Sequence, residues 1–196
     1  METTQIPISI YTEATPNPEA LKFVANKMLV AGNSAHFENV EQAALSPLAT
    51  QLFVFPFVKE VFIMNNFVTV TKQPDQDWYE IMHEVRDFLR NFIESDQPII
   101  DEAYFAEQKT AKPVAEGAQG EIEQKIISIL DTYVKPAVEM DGGAIQFISF
   151  EDGKVSLLLQ GSCSGCPSST VTLKQGIEGM MKRMIPEVEE VVAVAG

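Results

Sequence analysis

Cys163 and Cys166 are the only two cysteines in this chain of 196 residues, and they lie within Gly161-Ser162-Cys163-Ser164-Gly165-Cys166-Pro167. Two thiolates at this CxxC spacing can reach one metal centre, and the small Ser164-Gly165 pair lets the turn tighten around it. Pro167 suits the first turn of a following helix, where its missing N–H is not needed. Cys166 is then expected beside a helix N-terminus, whose positive dipole end favours a thiolate. The same features prepare sulfur for nucleophilic attack, so three readings of the pair stand side by side.

The first is dithiol–disulfide oxidoreductase chemistry, because strand, CxxC and helix follow one another as in thioredoxin-like proteins. Such a fold needs further strands after the motif, and only 30 residues follow Cys166. The second is structural zinc, which takes four protein ligands. The two histidines, His36 and His83, lie in the other half of the chain. His83 sits on an amphipathic helical pattern and His36 in a polar segment, and each is read as a surface or packing residue. The third is an iron–sulfur cluster, which generally takes four cysteine thiolates. One chain supplies two, and a two-fold homodimer supplies four by presenting the same turn twice. A site of that kind lies at a surface, and neither cysteine is then needed for the core.

The elements that position this loop are legible around it. Ile122, Ile126, Ile129, Leu130 and Tyr133 form an apolar helical stripe, and Pro136 disfavours its continuation. Asp141-Gly142-Gly143 breaks the chain as a helix-to-strand turn. Residues 144–150 and 154–160 read as strands joined at Asp152-Gly153, a strong hairpin signal. A second helix carries Leu173, Ile177, Met180 and Met184, Pro186 ends it, and 188–194 reads as a last strand. Ser168, Ser169 and Thr170 are read as capping that helix. The order helix–strand–strand–helix–strand predicts an α+β domain, a small mixed sheet covered by helices.

Upstream, residues 107–120 are rich in Ala, Lys, Glu, Gln and Gly with one large aliphatic side chain, Val114, and read as a flexible linker. The expected organisation is therefore a domain over 1–106, a linker over 107–120 and a domain over 121–196. In the first domain, 21–24 and 28–30 read as short strands, and 61–64 and 67–71 as a hairpin around Asn65-Asn66. Asp77 is a plausible N-cap for a helix carrying Trp78, Ile81, Val85, Phe88, Leu89 and Phe92 on one face. This half has no metal-ligand cluster, phosphate loop or nucleophile–base pair in its sequence.

Fourteen basic residues against 28 acidic ones leave a net charge of −14, which repels phosphate backbones and argues against nucleic acid as a partner. No apolar run approaches the ~18 residues of a membrane span. Met1-Glu2-Thr3-Thr4-Gln5 has neither a signal-peptide nor a transit-peptide character, so a cytoplasmic location is expected. Two cysteines are no disulfide scaffold.

The residues also carry a resemblance. Val134-Lys135-Pro136, Asp141-Gly142-Gly143, the run from Gly161 to Ser169, and Thr172-Leu173-Lys174-Gln175-Gly176-Ile177-Glu178 closely resemble the C-terminal domain of NifU, the Nfu domain. The first half resembles the domain that precedes it in many Nfu proteins, through Thr12-Glu13-Ala14-Thr15-Pro16-Asn17-Pro18, Leu21-Lys22-Phe23, Ser46-Pro47-Leu48-Ala49 and residues 67–72. Phe53-Val54-Phe55-Pro56-Phe57 departs from that pattern. The resemblance implies a carrier rather than an enzyme, one that holds a 4Fe–4S cluster and passes it to apo-proteins. Cys163 and Cys166 match the family's cluster ligands, although four thiolates would hold a 2Fe–2S cluster as well. The partners implied are apo iron–sulfur clients, cluster-assembly proteins and a second copy of the chain. The N-terminal domain is expected to contact clients.

Overall fold

The computed structural model describes residues 7–111, 120–164 and 167–195. Apart from the loop Thr15–Pro18, the chain divides into two compact units between Ala106 and Glu107. Both are mixed α and β.

The first unit contains β1 (Ile10–Ala14), β2 (Ala20–Ala25), β3 (Val30–Phe37), α1 (Pro47–Leu52), β4 (Val58–Asn65), β5 (Phe67–Lys72), α2 (Trp78–Glu94) and the start of α3 (Glu102–Ala111), which runs past the division. Its antiparallel sheet runs in the order β1-β2-β5-β4-β3. Phe23, Val61, Ile63, Val68 and Val70 share a buried cluster with Ile81, Val85, Leu89 and Phe92 of α2. Period-two side chains of the sheet thus meet period-3.6 side chains of the helix. Asp77 caps α2 as expected, its carboxylate accepting from the Tyr79 N–H at 2.9 Å. The β4–β5 turn uses the positive φ of Asn65, +48°.

Some expectations for this unit change. The strand expected at 28–30 starts at Val30 and runs to Phe37, which places His36 in the sheet, 7% exposed. Residues 107–111, expected in the linker, continue α3, while 112–119 lie outside the described residues. Tyr104 holds α3 down by packing 5.2 Å from the Phe37 ring. In the segment from Phe53 to Phe57, Phe55 stacks on Phe57 at 5.3 Å and meets Phe88 edge-on at 5.4 Å, which ties the segment to α2.

The second unit contains α4 (Glu121–Ile129), α5 (Lys135–Met140), β6 (Gly143–Glu151), β7 (Lys154–Gly161), α6 (Pro167–Met184) and β8 (Glu190–Ala195). β6 pairs antiparallel with β7, and β7 parallel with β8, so the sheet is mixed. This is the helix–strand–strand–helix–strand order read from the sequence. One correction concerns Pro136, which does not end the first helix. A π-helical turn, Leu130–Val134, joins α4 to α5, with the Lys135 N–H reaching back five residues to the Leu130 carbonyl. Widening the helix just before the proline accommodates a residue that lacks an N–H, and Pro136 then sits in the first turn of α5. A second correction concerns α6: Ile177 and Met181 face the core, and Met184 is 48% exposed.

Candidate metal centre

The cysteine loop leaves the end of β7 and meets the turn that enters β6. Gly143, the first residue of β6, pairs with Gly161, the last of β7. The loop after Gly161 therefore lies against Asp141-Gly142, the turn between α5 and β6. Gly142 makes that turn with φ +80°, a conformation that side chains disfavour.

Ser162 fastens the two segments together. Its N–H donates to the Gly142 carbonyl at 3.3 Å, and its hydroxyl donates to the Asp141 carbonyl. Ser164 closes the other side, with its N–H at 3.1 Å and its hydroxyl at 2.8 Å from the Gly161 carbonyl oxygen. Cys163 is held between these fastenings and points inward. It is 5% exposed and belongs to the same buried cluster as Leu157, Leu159, Val138 and Ile145. The expectation that neither cysteine is needed for the core therefore fails for Cys163.

Its thiol feels that burial. Loss of water pushes its pKa up from the ordinary 9.0; Ser162 offsets part of this, and the Asp141 charge adds to it. Sγ lies 3.7 Å from the Ser162 Oγ. Either group can donate in this contact. Cys163 is thus an inward-facing thiol whose ionisation is disfavoured by burial.

Gly143 lies on the other side of Cys163. A Cβ at that position would stand 3.1 Å from the Cys163 Sγ and 2.6 Å from the Gln160 carbonyl oxygen. Sequence reasoning assigned Asp141-Gly142-Gly143 to a turn and missed this approach. The signal was available, since a single positive φ explains one glycine and leaves the second to be explained by close packing.

Cys166, the second sequence candidate, lies outside the described residues, as do the side chains of Ser168, Ser169 and Thr170. The helix that follows begins at Pro167. Among the described residues no group of three or more His, Cys, Asp or Glu side chains could hold a metal ion. The histidines are engaged in the first unit: His83 on α2 is 3.0 Å from Arg86, and the Nε2 of His36 is 3.5 Å from Glu60. No helix among the described residues is long and apolar enough to cross a membrane.

Residues 10–96 match the family model "Scaffold protein Nfu/NifU N terminal", and residues 126–192 match "NifU-like domain". A human protein named "NFU1 iron-sulfur cluster scaffold homolog, mitochondrial" is 39% identical over 183 residues, 93% of this chain and 70% of that protein. The chain belongs to the Nfu family. A relative of the same name from Drosophila willistoni is 42% identical, and this Nfu chain spans 62% of its length. The solution NMR structure of a NifU-like protein from Saccharomyces cerevisiae aligns with 52% of this chain and 92% of its own, at 28% identity and a TM-score of 0.46.

These relatives correct the cytoplasmic location. Both are named mitochondrial. The character of the first five residues is no argument for a compartment when the chain matches only part of its relatives' length.

Proposed function

We propose that this Nfu chain carries an iron–sulfur cluster as cargo, bound through Cys163 and Cys166 and shared with a second copy of the chain. The observation that carries this reading is the shortage of ligands. The chain has two cysteines, and the described residues offer no other group of metal-binding side chains. A cluster that takes four thiolates is completed when a two-fold axis brings two such loops together. The relatives' names, which call them iron–sulfur cluster scaffolds, support the same reading. We take the cluster as 4Fe–4S.

The function is that of a carrier. Transfer proceeds by ligand exchange: thiolates of an apo-client replace those of the carrier one at a time, and the cluster leaves with no net redox change. The first unit has no metal-binding group among its described residues and is assigned to holding clients or assembly proteins. Catalytic dithiol exchange is the weaker reading. An attacking thiol is exposed and has a lowered pKa, whereas Cys163 is buried with its pKa raised.

Anaerobic reconstitution with iron and sulfide tests this directly. The expected product is a brown, oxygen-sensitive dimer with about four irons per two chains, the stoichiometry of one shared cluster. Cys166→Ser is expected to take up no cluster. A monomer that retains its full iron, or iron retained after both cysteines are replaced, rules the reading out.

A further inference from the structure

We propose that Gly143 and Ser162 form a seat for Cys163 and act as positioning residues for the cluster-binding loop, a step that rests on the function proposed above. Gly143 supplies space: a methyl group there would stand 3.1 Å from Sγ, tighter than nine in ten real Cβ contacts, and 2.6 Å from the Gln160 carbonyl oxygen. Ser162 supplies the fastening, because its N–H and hydroxyl bind the Gly142 and Asp141 carbonyls on the opposing turn. Ser162 itself is 1% exposed, so water does not compete for these bonds. The thiol is thereby confined from two directions, by a backbone with no side chain and by a neighbour bonded across to the next element.

The seat serves a labile cargo in a physical sense. The Ser162 bonds hold the loop backbone in place, and a loop already ordered loses less freedom when iron binds than one that must be ordered first. A buried thiol is also shielded from oxidation and alkylation while the chain is empty. The arrangement is absent from the sequence reading because it depends on the β6–β7 register, which sets Gly143 opposite Gly161.

The test uses the full-length apo-protein carrying Cys166→Ser, so that Cys163 is the one thiol present. Alkylation of Cys163 by iodoacetamide under native conditions reports how often the seat opens. Gly143→Ala is expected to raise that rate at least about tenfold, the factor given by about 1.4 kcal/mol of lost local stability. Ser162→Ala, which adds no volume, is expected to raise it by a smaller factor and decides the matter if Gly143→Ala does not fold. Gly153→Ala is the control for general weakening. It strains the turn at the far end of the same hairpin, with φ +77° and its Cβ 2.9 Å from Glu189, and should leave the rate within about twofold of the parent if the opening is local.

Unchanged alkylation in the folded Gly143→Ala and Ser162→Ala proteins, or an equal rise in Gly153→Ala, overturns the seat. With both cysteines present, Gly143→Ala is also expected to lose reconstituted iron to a chelator faster than the wild type, and equal loss counts against the seat. Should the wild type take up no iron at all, the proposed function falls while the alkylation rates still judge the seat.

Discussion

In the first unit His36 lies in the sheet with the Glu60 carboxylate 3.5 Å away, and the buried Lys22 is paired at 3.0 Å with the exposed carboxylate of Glu13. In the second unit Cys163 lies in the core with a serine hydroxyl and a glycine against its sulfur. These two basic side chains of the first unit each face a carboxylate on a neighbouring strand. The sulfur of the second lies 3.7 Å from the Ser162 hydroxyl, in a core of aliphatic side chains. Buried polarity alone is therefore a poor pointer to chemistry, and the informative feature is a reactive atom confined by backbone packing. Among the described residues, each unit also has a buried serine whose hydroxyl bridges to a distant carbonyl, Ser46 to Ile99 at 2.8 Å and Ser162 to Asp141. The first bridge holds a helix start, and the second holds a cysteine.

The strongest way to break this contrast is to damage each core separately. Leu89→Ala and Leu157→Ala remove side chains that are 1% and 0% exposed, and each should cost about 2–5 kcal/mol in its own unit. Hydrogen exchange is expected to show the loss in α2 and in β6–β7 respectively, with iron retention falling only for Leu157→Ala. Loss of iron in both, to the same degree, would remove the functional division between the units.

Cys163→Ser follows in size. Placing a hydroxyl where the core holds a thiol should cost about 1–3 kcal/mol, measured by amide exchange in β6 and β7. An unchanged second unit would return Cys163 to the surface role first expected of it. Next comes Ser46→Ala. Ser46 caps α1, accepting from the Ala49 N–H at 3.2 Å, and its removal should cost about 0.5–2 kcal/mol by urea unfolding followed through Trp78, the only tryptophan. Cys163 alkylation should not change in that variant, in contrast to Ser162→Ala.

The smallest effect concerns acid. His36 foremost, then Lys59, hold the Glu60 carboxyl below the ordinary 4.5, while burial pushes it up and only partly offsets them. A depressed folded-state pKa means that this stabilisation is fully present above pH 4.5 and is lost as pH falls through the folded value. Glu60→Gln should therefore flatten the acid side of the first unit's stability profile and leave exchange in the second unit unchanged. A steeper acid profile in Glu60→Gln would reverse the assignment.

Much of the fold was legible because its signals are local. The α2 stripe from Ile81 to Phe92, the Asp77 cap and the Asp152-Gly153 hairpin each follow from side-chain period or turn chemistry within a short window. The edge strand β1 was missed because its residues are half-exposed or exposed and carry no clean alternation. α3 was missed because its anchor, Tyr104, packs on Phe37 far back in sequence. Pro136 misled for a related reason: a proline argues against helix, yet the π-helical turn before it absorbs the missing bond.

By itself the sequence determined the family, the order of elements in the second unit and the spacing of its two cysteines. Those depend on residue identity and spacing along the chain. The environment of Cys163 was decided only by tertiary structure. Antiparallel pairing of β6 with β7 brings Gly143 beside a cysteine 20 positions later and sets Asp141 against Ser162. Burial, and the raised pKa that comes with it, is a property of what surrounds an atom, and no window of neighbouring residues contains it.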